Sequence, residues 1–315
     1  MTPPISSVTL NGVFPVLPTP FDSHGEPDVT SLRRLVRYLI RAGVDGITYP
    51  GVASEFAQLN EAERVLLLEA VLDETAGRIP VVAGVTSADS DLTLRLATHA
   101  AASGAQALMV AAPPQWKEAP QQIVYFEALS KAVPGLPLML QNVPPPVGAG
   151  LDPEVLIEVV SAVPAISYIK EEALPSGQRL TKVLVNAPAS LKGVLGGAGG
   201  RYITDELRRG ACGTMPAIEL AEVHVALYAA HRKGDSLAVR KLFTRMLPIL
   251  NIQAVFRWAL TKHVLLQRGL INHAVQRVDG PRLDDFDRAD VNDFMNDLSD
   301  LLMPATILAE LRNPG

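Results

Sequence analysis

The chain has 315 residues, 48% of them hydrophobic and 19% charged, which is ample material for a packed core. A net charge of −5 argues against a nucleic-acid binder, which needs a concentrated basic face. A single cysteine excludes an intramolecular disulfide framework and a multi-cysteine metal site. Every long apolar stretch is broken by Pro, Gly or a polar residue before ~18 residues, so no transmembrane helix is expected. The opening MTPPISSVTLNG has neither the basic start nor the apolar centre of a secretory signal, so a cytoplasmic protein is expected.

Short apolar runs alternate with amphipathic stretches along the chain. The runs begin at Gly12, Val44, Ile79, Ala105, Leu136, Ala165, Ser190 and Ala211. Each is near-continuously hydrophobic over about 4–8 residues, as strands buried on both faces are. In the first intervening stretch Leu32, Leu35, Val36, Leu39 and Ile40 share one helical face. The second opens at Asn60 with Glu63 three residues on, the pattern of a capping box. The fifth opens Asp152-Pro153-Glu154, an N-cap, a first-turn proline and a first-turn acid. Gly43, Gly77, Gly104 and Gly210 are the expected helix stops.

No G-x-G-x-x-G turn of an open doubly wound sheet follows an early strand. Eight β-then-α units in succession predict a closed (β/α)8 TIM barrel over residues 1–230. From about His231 the chain reads as helical: LAVRKLFTRMLPIL, then IQAVFRWALTKHVLLQRGL, then a last helix from about Asp290. Residues 231–315 are expected to pack on the barrel rather than to form a domain of their own.

In a barrel the chemistry sits at the C-terminal ends of the strands. The sixth run ends at Lys170. There a desolvated amine loses its preference for the ammonium form and can attack a carbonyl to give an iminium. The competing reading is a strand-end lysine that reaches solvent. Tyr168 lies two residues earlier on the same strand face, either a proton carrier or a packed core residue. The fifth run ends Gln141-Asn142-Val143-Pro144. Gln141 can orient a hydroxyl or carboxylate but cannot act as a base near neutral pH, or it simply lines the barrel mouth.

After the second run, Gly51-Val52-Ala53-Ser54-Glu55 either presents backbone N–H groups and the Ser54 hydroxyl to an anion or is an ordinary turn. Gly196-Gly197-Ala198-Gly199-Gly200 lets the backbone approach a ligand closely, and phosphate binding is the rival reading of that loop. The six histidines show no metal-ligand spacing, and no G-x-S-x-G elbow is present. Cys212 reads as a small hydrophobe rather than a nucleophile. No metal and no cofactor is expected.

Thr19-Pro20-Phe21, the Gly51…Glu55 loop, Asn142-Val143-Pro144, Ile169-Lys170-Glu171 and the glycine-rich loop before Gly210-Ala211-Cys212-Gly213 stand in a familiar order. As a set they resemble the dihydrodipicolinate synthase / N-acetylneuraminate lyase family over nearly the whole chain. The resemblance implies a (β/α)8 barrel, a class I Schiff-base mechanism on 2-oxo acids with Lys170 as the nucleophile, and a homotetramer built as a dimer of dimers.

This chain departs from the family pattern in its substrate contacts. Val52 and Ala53 stand where the family's carboxylate-binding Thr or Ser residues do, and Gln141 stands at its proton-shuttling tyrosine. Pro146 falls at the arginine of true dihydrodipicolinate synthases, and Pro113-Pro114-Gln115-Trp116 replaces a second tyrosine. These departures argue against a true dihydrodipicolinate synthase. The 2-keto-3-deoxy sugar-acid dehydratase branch looks more similar, through Ser54-Glu55, Gln141…Pro144 and Tyr168-Ile169-Lys170.

The expected function is therefore a Schiff-base lyase that dehydrates a 2-keto-3-deoxy sugar acid. Lys170, Tyr168 and Gln141 would be at the chemistry, with Val52, Ala53, Ser54, Glu55, Asn142, Gly197 and Ala198 around the substrate. A pyruvate-releasing aldolase on a 4-hydroxy-2-oxo acid, a 2-oxo acid-binding relative without turnover, and a phosphate-binding barrel enzyme remain as alternatives.

Overall fold

A computed structural model of the chain describes residues 9–312. The first eight residues of the stretch read for a leader lie outside the described residues. Eight strands each precede a helix, the arrangement of a TIM-barrel-like (β/α)8 fold, and further helices follow. The first half comprises β1 (Gly12–Val13), α1 (Val29–Ala42), β2 (Ile47–Tyr49), α2 (Glu61–Thr75), β3 (Val81–Gly84), α3 (Ser90–Ala102), β4 (Ala107–Ala111) and α4 (Ala119–Ala132). The second comprises β5 (Leu138–Asn142), α5 (Pro153–Ala162), β6 (Ile166–Glu171), α6 (Ser176–Asn186), β7 (Gly193–Gly196), α7 (Ile203–Arg208), β8 (Gly213–Thr214) and α8 (Ala221–Arg232). The tail holds α9 (Ser236–Phe256), α10 (Trp258–Gln267), α11 (Asp285–Asp297) and α12 (Ala305–Glu310). Among the described residues no helix is long and apolar enough to cross a membrane.

The contacts divide the chain into two compact units. One contains Pro80–Ala198 and Tyr202–Met215 with the chain before Gly12. In it β3 to β8 pair in parallel in sequence order. β3 to β7 are buried along their whole length, which is why their sequences run apolar without alternation. The other unit contains Gly12–Ile79, Gly199–Arg201 and Pro216–Gly315. There Val16 bridges in parallel to both Thr48 and Ala217. α8 packs on α1, and α10 and α11 pack on α9.

Local chemistry sets the helix ends. Asp28 accepts from the Ser31 N–H at 2.9 Å and starts α1, and Gly43 ends it at φ 80°. Asn60 and Glu63 form the reciprocal capping box of α2, both bonds 2.9 Å. Asp152 stands at the N-cap of α5 but makes no capping bond, and its carboxylate lies 3.4 Å from Arg179 instead. Gly77 lies one residue beyond the stop of α2, because Ala76 already takes the left-handed conformation at φ 49°.

The tail departs from its sequence reading in two places. α9 runs through Pro248 to Phe256, and the break falls at Arg257, φ 41°. The next long helix starts at Asp285 rather than Asp290, because Asp284 and Asp287 cap each other's backbone N–H groups. Replacing Asn60 by Ala removes one arm of the α2 capping box. It is expected to lower the unfolding free energy by about 1 kcal/mol, read from the urea midpoint at unchanged slope.

Candidate active site

Strand pairing brings the first group of residues together. β5 and β6 slip by one residue between Leu138 and Met139. After the slip Met139 pairs with Tyr168, Gln141 with Lys170 and Asn142 with Glu171. On the other side of β6, Lys170 pairs with Leu195 and Glu171 with Gly196. Side chains alternate across a strand, so Tyr168, Lys170 and Glu172 share a direction opposite to that of Glu171.

Lys170 is buried, its side chain 4% exposed, and its Nζ lies 3.3 Å from Oε1 of Glu172. The Glu172 carboxylate has two further donors. Gln141 Nε2 donates to Oε2 at 2.7 Å, and the Ala198 N–H donates to Oε1 at 3.0 Å. Burial alone would push this carboxyl up, but Lys170, Gln141 and the Ala198 amide outweigh it and hold it below its ordinary 4.5. Glu172 is therefore a carboxylate at neutral pH, in contact with the amine of Lys170.

Gly197 makes that position possible. A Cβ there would stand 2.5 Å from Glu172 Cγ and 2.6 Å from its Oε1. At Gly196 a Cβ would stand 1.8 Å from Oε2 of Glu206, on α7. These two glycines of the loop thus make room for two carboxylates. Ala198 serves through its backbone N–H.

Tyr168, on the same face, is engaged by another partner. Its hydroxyl accepts from the Leu10 N–H at 3.0 Å, and burial pushes its phenol above the ordinary 10.0. Asn142 braces the loop after β5: Oδ1 accepts from the Leu151 N–H at 2.7 Å, and Nδ2 donates to the Leu151 carbonyl and the Glu171 carboxylate, both at 3.0 Å. Glu171 also accepts from the Ala173 N–H at 2.8 Å. Burial lifts its carboxyl to about 7 against the pull of Arg179 and Asn142.

Val52, Ala53, Ser54 and Glu55 belong to the second unit, and there their hydrogen bonds hold the loop. Val52–Ser54 form one turn of 3-10 helix. Ser54 Oγ accepts from the Gly51 N–H at 2.8 Å and donates to the Leu17 carbonyl. Thr19 donates to the Ser54 carbonyl at 2.7 Å, and Trp258 Nε1 to that of Val52 at 2.9 Å. Glu55 is buried at φ 57°, a strained conformation for a residue with a side chain. Its carboxylate pairs with Lys262 of α10 and accepts from the N–H groups of Arg277 and Val278 at 2.7 and 2.8 Å.

Lys262 in turn donates to the Val275 carbonyl at 2.6 Å and lies over the Phe21 ring, 4.3 Å from its centroid. Burial draws its ammonium down to about 8, opposed by Glu55. Ser54 and Glu55 were expected at the substrate. Here the Ser54 hydroxyl and the Glu55 carboxylate are both committed to partners within the protein.

The residue that sequence reasoning missed is Glu172. The signal was present: the two-residue strand period that puts Tyr168 on the face of Lys170 puts Glu172 there as well. If Glu55 is structural, Glu55→Gln leaves the Lys262 ammonium buried without its counter-charge. It is expected to lower stability by about 3–5 kcal/mol, measured by urea unfolding at pH 7. Wild-type stability with a raised KM would return Glu55 to the substrate.

Comparisons with known proteins point one way. The chain is 30% identical over 250 residues, 78% of its length and 82% of the relative's, to the Escherichia coli protein named "Probable 2-dehydro-3-deoxy-D-pentonate aldolase YjhH". The crystal structure of dihydrodipicolinate synthase from Rhodopseudomonas palustris superposes with a TM-score of 0.83 at 27% identity, covering 92% of this chain and 98% of that one. The E. coli prophage protein YagE, solved in complex with pyruvate, superposes with a TM-score of 0.83 at 25% identity, covering 94% and 100%. Residues 9–284 match the Dihydrodipicolinate synthetase family, and the chain belongs to that family of lyases.

Proposed function

We propose that the chain is a Schiff-base lyase that removes water from a 2-keto-3-deoxy sugar acid, with Lys170 as nucleophile and Glu172 as proton carrier. The observation that carries this reading is the 3.3 Å contact between the buried Lys170 amine and the Glu172 carboxylate. A lysine reaching bulk water would have no such use.

The protons balance through Glu172. It takes one from Nζ, and the free amine attacks C2 of the 2-oxo acid. It returns that proton to the C2 hydroxyl, which leaves as water and gives the iminium. The iminium withdraws electrons from C3, whose proton passes to Glu172. Glu172 then delivers it to the C4 hydroxyl, which leaves as a second water while the C3=C4 bond forms. Water hydrolyses the product from Lys170. Gln141 donates to the carboxylate and keeps it aimed at Nζ. In this reading Gln141 positions the base rather than acting as one.

The departures at Val52, Ala53 and Pro146 further support a substrate other than that of the true synthases. The likeness to YjhH favours a second reading, retro-aldol cleavage of C3–C4 by the same Lys170 and Glu172. Products separate them: cleavage releases pyruvate, and dehydration keeps the carbon chain whole.

Borohydride with pyruvate or a 2-keto-3-deoxy sugar acid is expected to add a stable adduct at Lys170, located by peptide mass spectrometry. Unmodified Lys170 across such a panel would overturn the reading. Glu172→Gln is expected to lower kcat by about 10²–10⁴-fold with little change in KM. Gly197→Ala, which crowds the same carboxylate from outside the reacting groups, is expected to lower kcat by about tenfold or more and to lower folded stability as the buried contact shifts.

A further inference from the structure

Glu206 is a buried acid that the proposed chemistry does not use. It is 1% exposed, and Ser176 Oγ donates to its Oε1 at 2.7 Å. Its Oε2 is buried and has no hydrogen-bond partner among the described residues. That oxygen sits against Gly196, where a Cβ would be 1.8 Å away, and the next residue, Gly197, abuts Glu172. Glu172 and Glu206 therefore flank consecutive glycines at the end of β7. The charged groups around Glu206 are Glu171 and Glu172 from the end of β6 and Asp205 beside it on α7. Arg209 holds Asp205 at 2.9 Å, and Arg179 of α6 lies 3.5 Å from Glu171. Thus Asp205 and Glu171 have their own cations, the Glu172 charge faces Lys170, and Glu206 has no ion-pair partner among the described residues.

We propose that Glu206 is a positioning residue for the Lys170–Glu172 pair, a hidden second acid whose ionisation behind β7 sets how strongly Glu172 holds a proton. The proposal rests on Glu172 being the proton carrier. Burial lifts the Glu206 carboxyl to about 7, Ser176 pulls it down, and the charges of Glu172, Asp205 and Glu171 lift it further. Below that pH it is neutral and adds no charge beside Glu172. Above it, a second negative charge strengthens Glu172 as a base, since interacting carboxyls titrate as a pair. The Ser176 bond survives in Glu206→Gln, whose amide oxygen still accepts, while the titration is abolished.

Two measurements on the full-length protein test this, and one needs no substrate. Infrared titration of the protonated-carboxyl band should lose one component near neutral pH in Glu206→Gln. In Glu172→Gln the same component should move by about one pH unit toward acid. In kinetics, one unit in a base's strength is worth about threefold in rate, so Glu206→Gln should lower the ratio of kcat/KM at pH 8 to that at pH 6 about threefold. Ser176→Ala, which leaves Glu206 in place without its donor, should move the corresponding limb to higher pH.

A Glu206 band that ignores Glu172→Gln overturns the proposal. So does an equal loss of rate at both pH values, which is what a merely structural residue would give. Failure of borohydride trapping with every 2-oxo acid would overturn the proposed reaction instead, and the infrared shift would still decide the coupling.

Discussion

The site depends on keeping a carboxylate ionised where little water reaches it. Desolvation works against both charges of the Lys170–Glu172 contact, and such a contact persists only when further hydrogen bonds compensate. Here the compensation comes from three places in the fold: the Lys170 amine two residues back on β6, the Gln141 amide from the neighbouring strand, and the Ala198 N–H beyond β7. The space left by the missing side chain of Gly197 is what admits the Glu172 side chain to that position. The one-residue slip between β5 and β6 matters for the same reason, because it sets Gln141 opposite Lys170.

The second buried glutamate–lysine contact, Glu55 with Lys262, shows what a saturated version looks like. Two backbone N–H groups and the ammonium fill the carboxylate, and a carbonyl and the Phe21 ring surround the lysine. This arrangement offsets the left-handed backbone at Glu55 and ties the turn after β2 to the segment around Arg277. The same pair of residue types thus serves two ends. Where every lone pair and proton is matched, the pair holds structure. At Lys170 the carboxylate touches an amine placed at a strand end, the nucleophile of the proposed reaction.

Much of the architecture was legible because it rests on local rules. The apolar runs gave the strands, and Asn60 with Glu63 gave the capping box. What escaped was tertiary. Glu172 was overlooked because a second acid after a lysine reads as solvated charge unless the strand period is carried past Lys170. In the loop Gly196–Gly200, read as a close approach to a ligand, the space at Gly196 and Gly197 lies against Glu206 and Glu172 of this same chain, which no sequence pattern displays. The partners of Ser54 and Glu55, namely Leu17, Lys262 and Arg277, were not legible because they are remote in sequence. Asn142 was placed at the correct strand end, yet its amide is used up on Leu151 and Glu171.

Gln141, which stands where the family resemblance implies a tyrosine, is best understood together with Glu172. A glutamine accepts and donates hydrogen bonds but does not carry protons near neutral pH. Its amide N–H, however, is the donor a neighbouring carboxylate needs to stay charged in a low-dielectric site. In the proposed reaction the proton carrier therefore stands not on β5 but just past β6, at Glu172, beside Lys170. A base at that place is close to whatever is bonded to the iminium carbon, so it is well placed for the proton on C3. Cleavage of C3–C4 requires instead that the proton be drawn from the oxygen one atom further out. In the proposed reaction, a base beside the lysine is the one needed for the step that begins at C3.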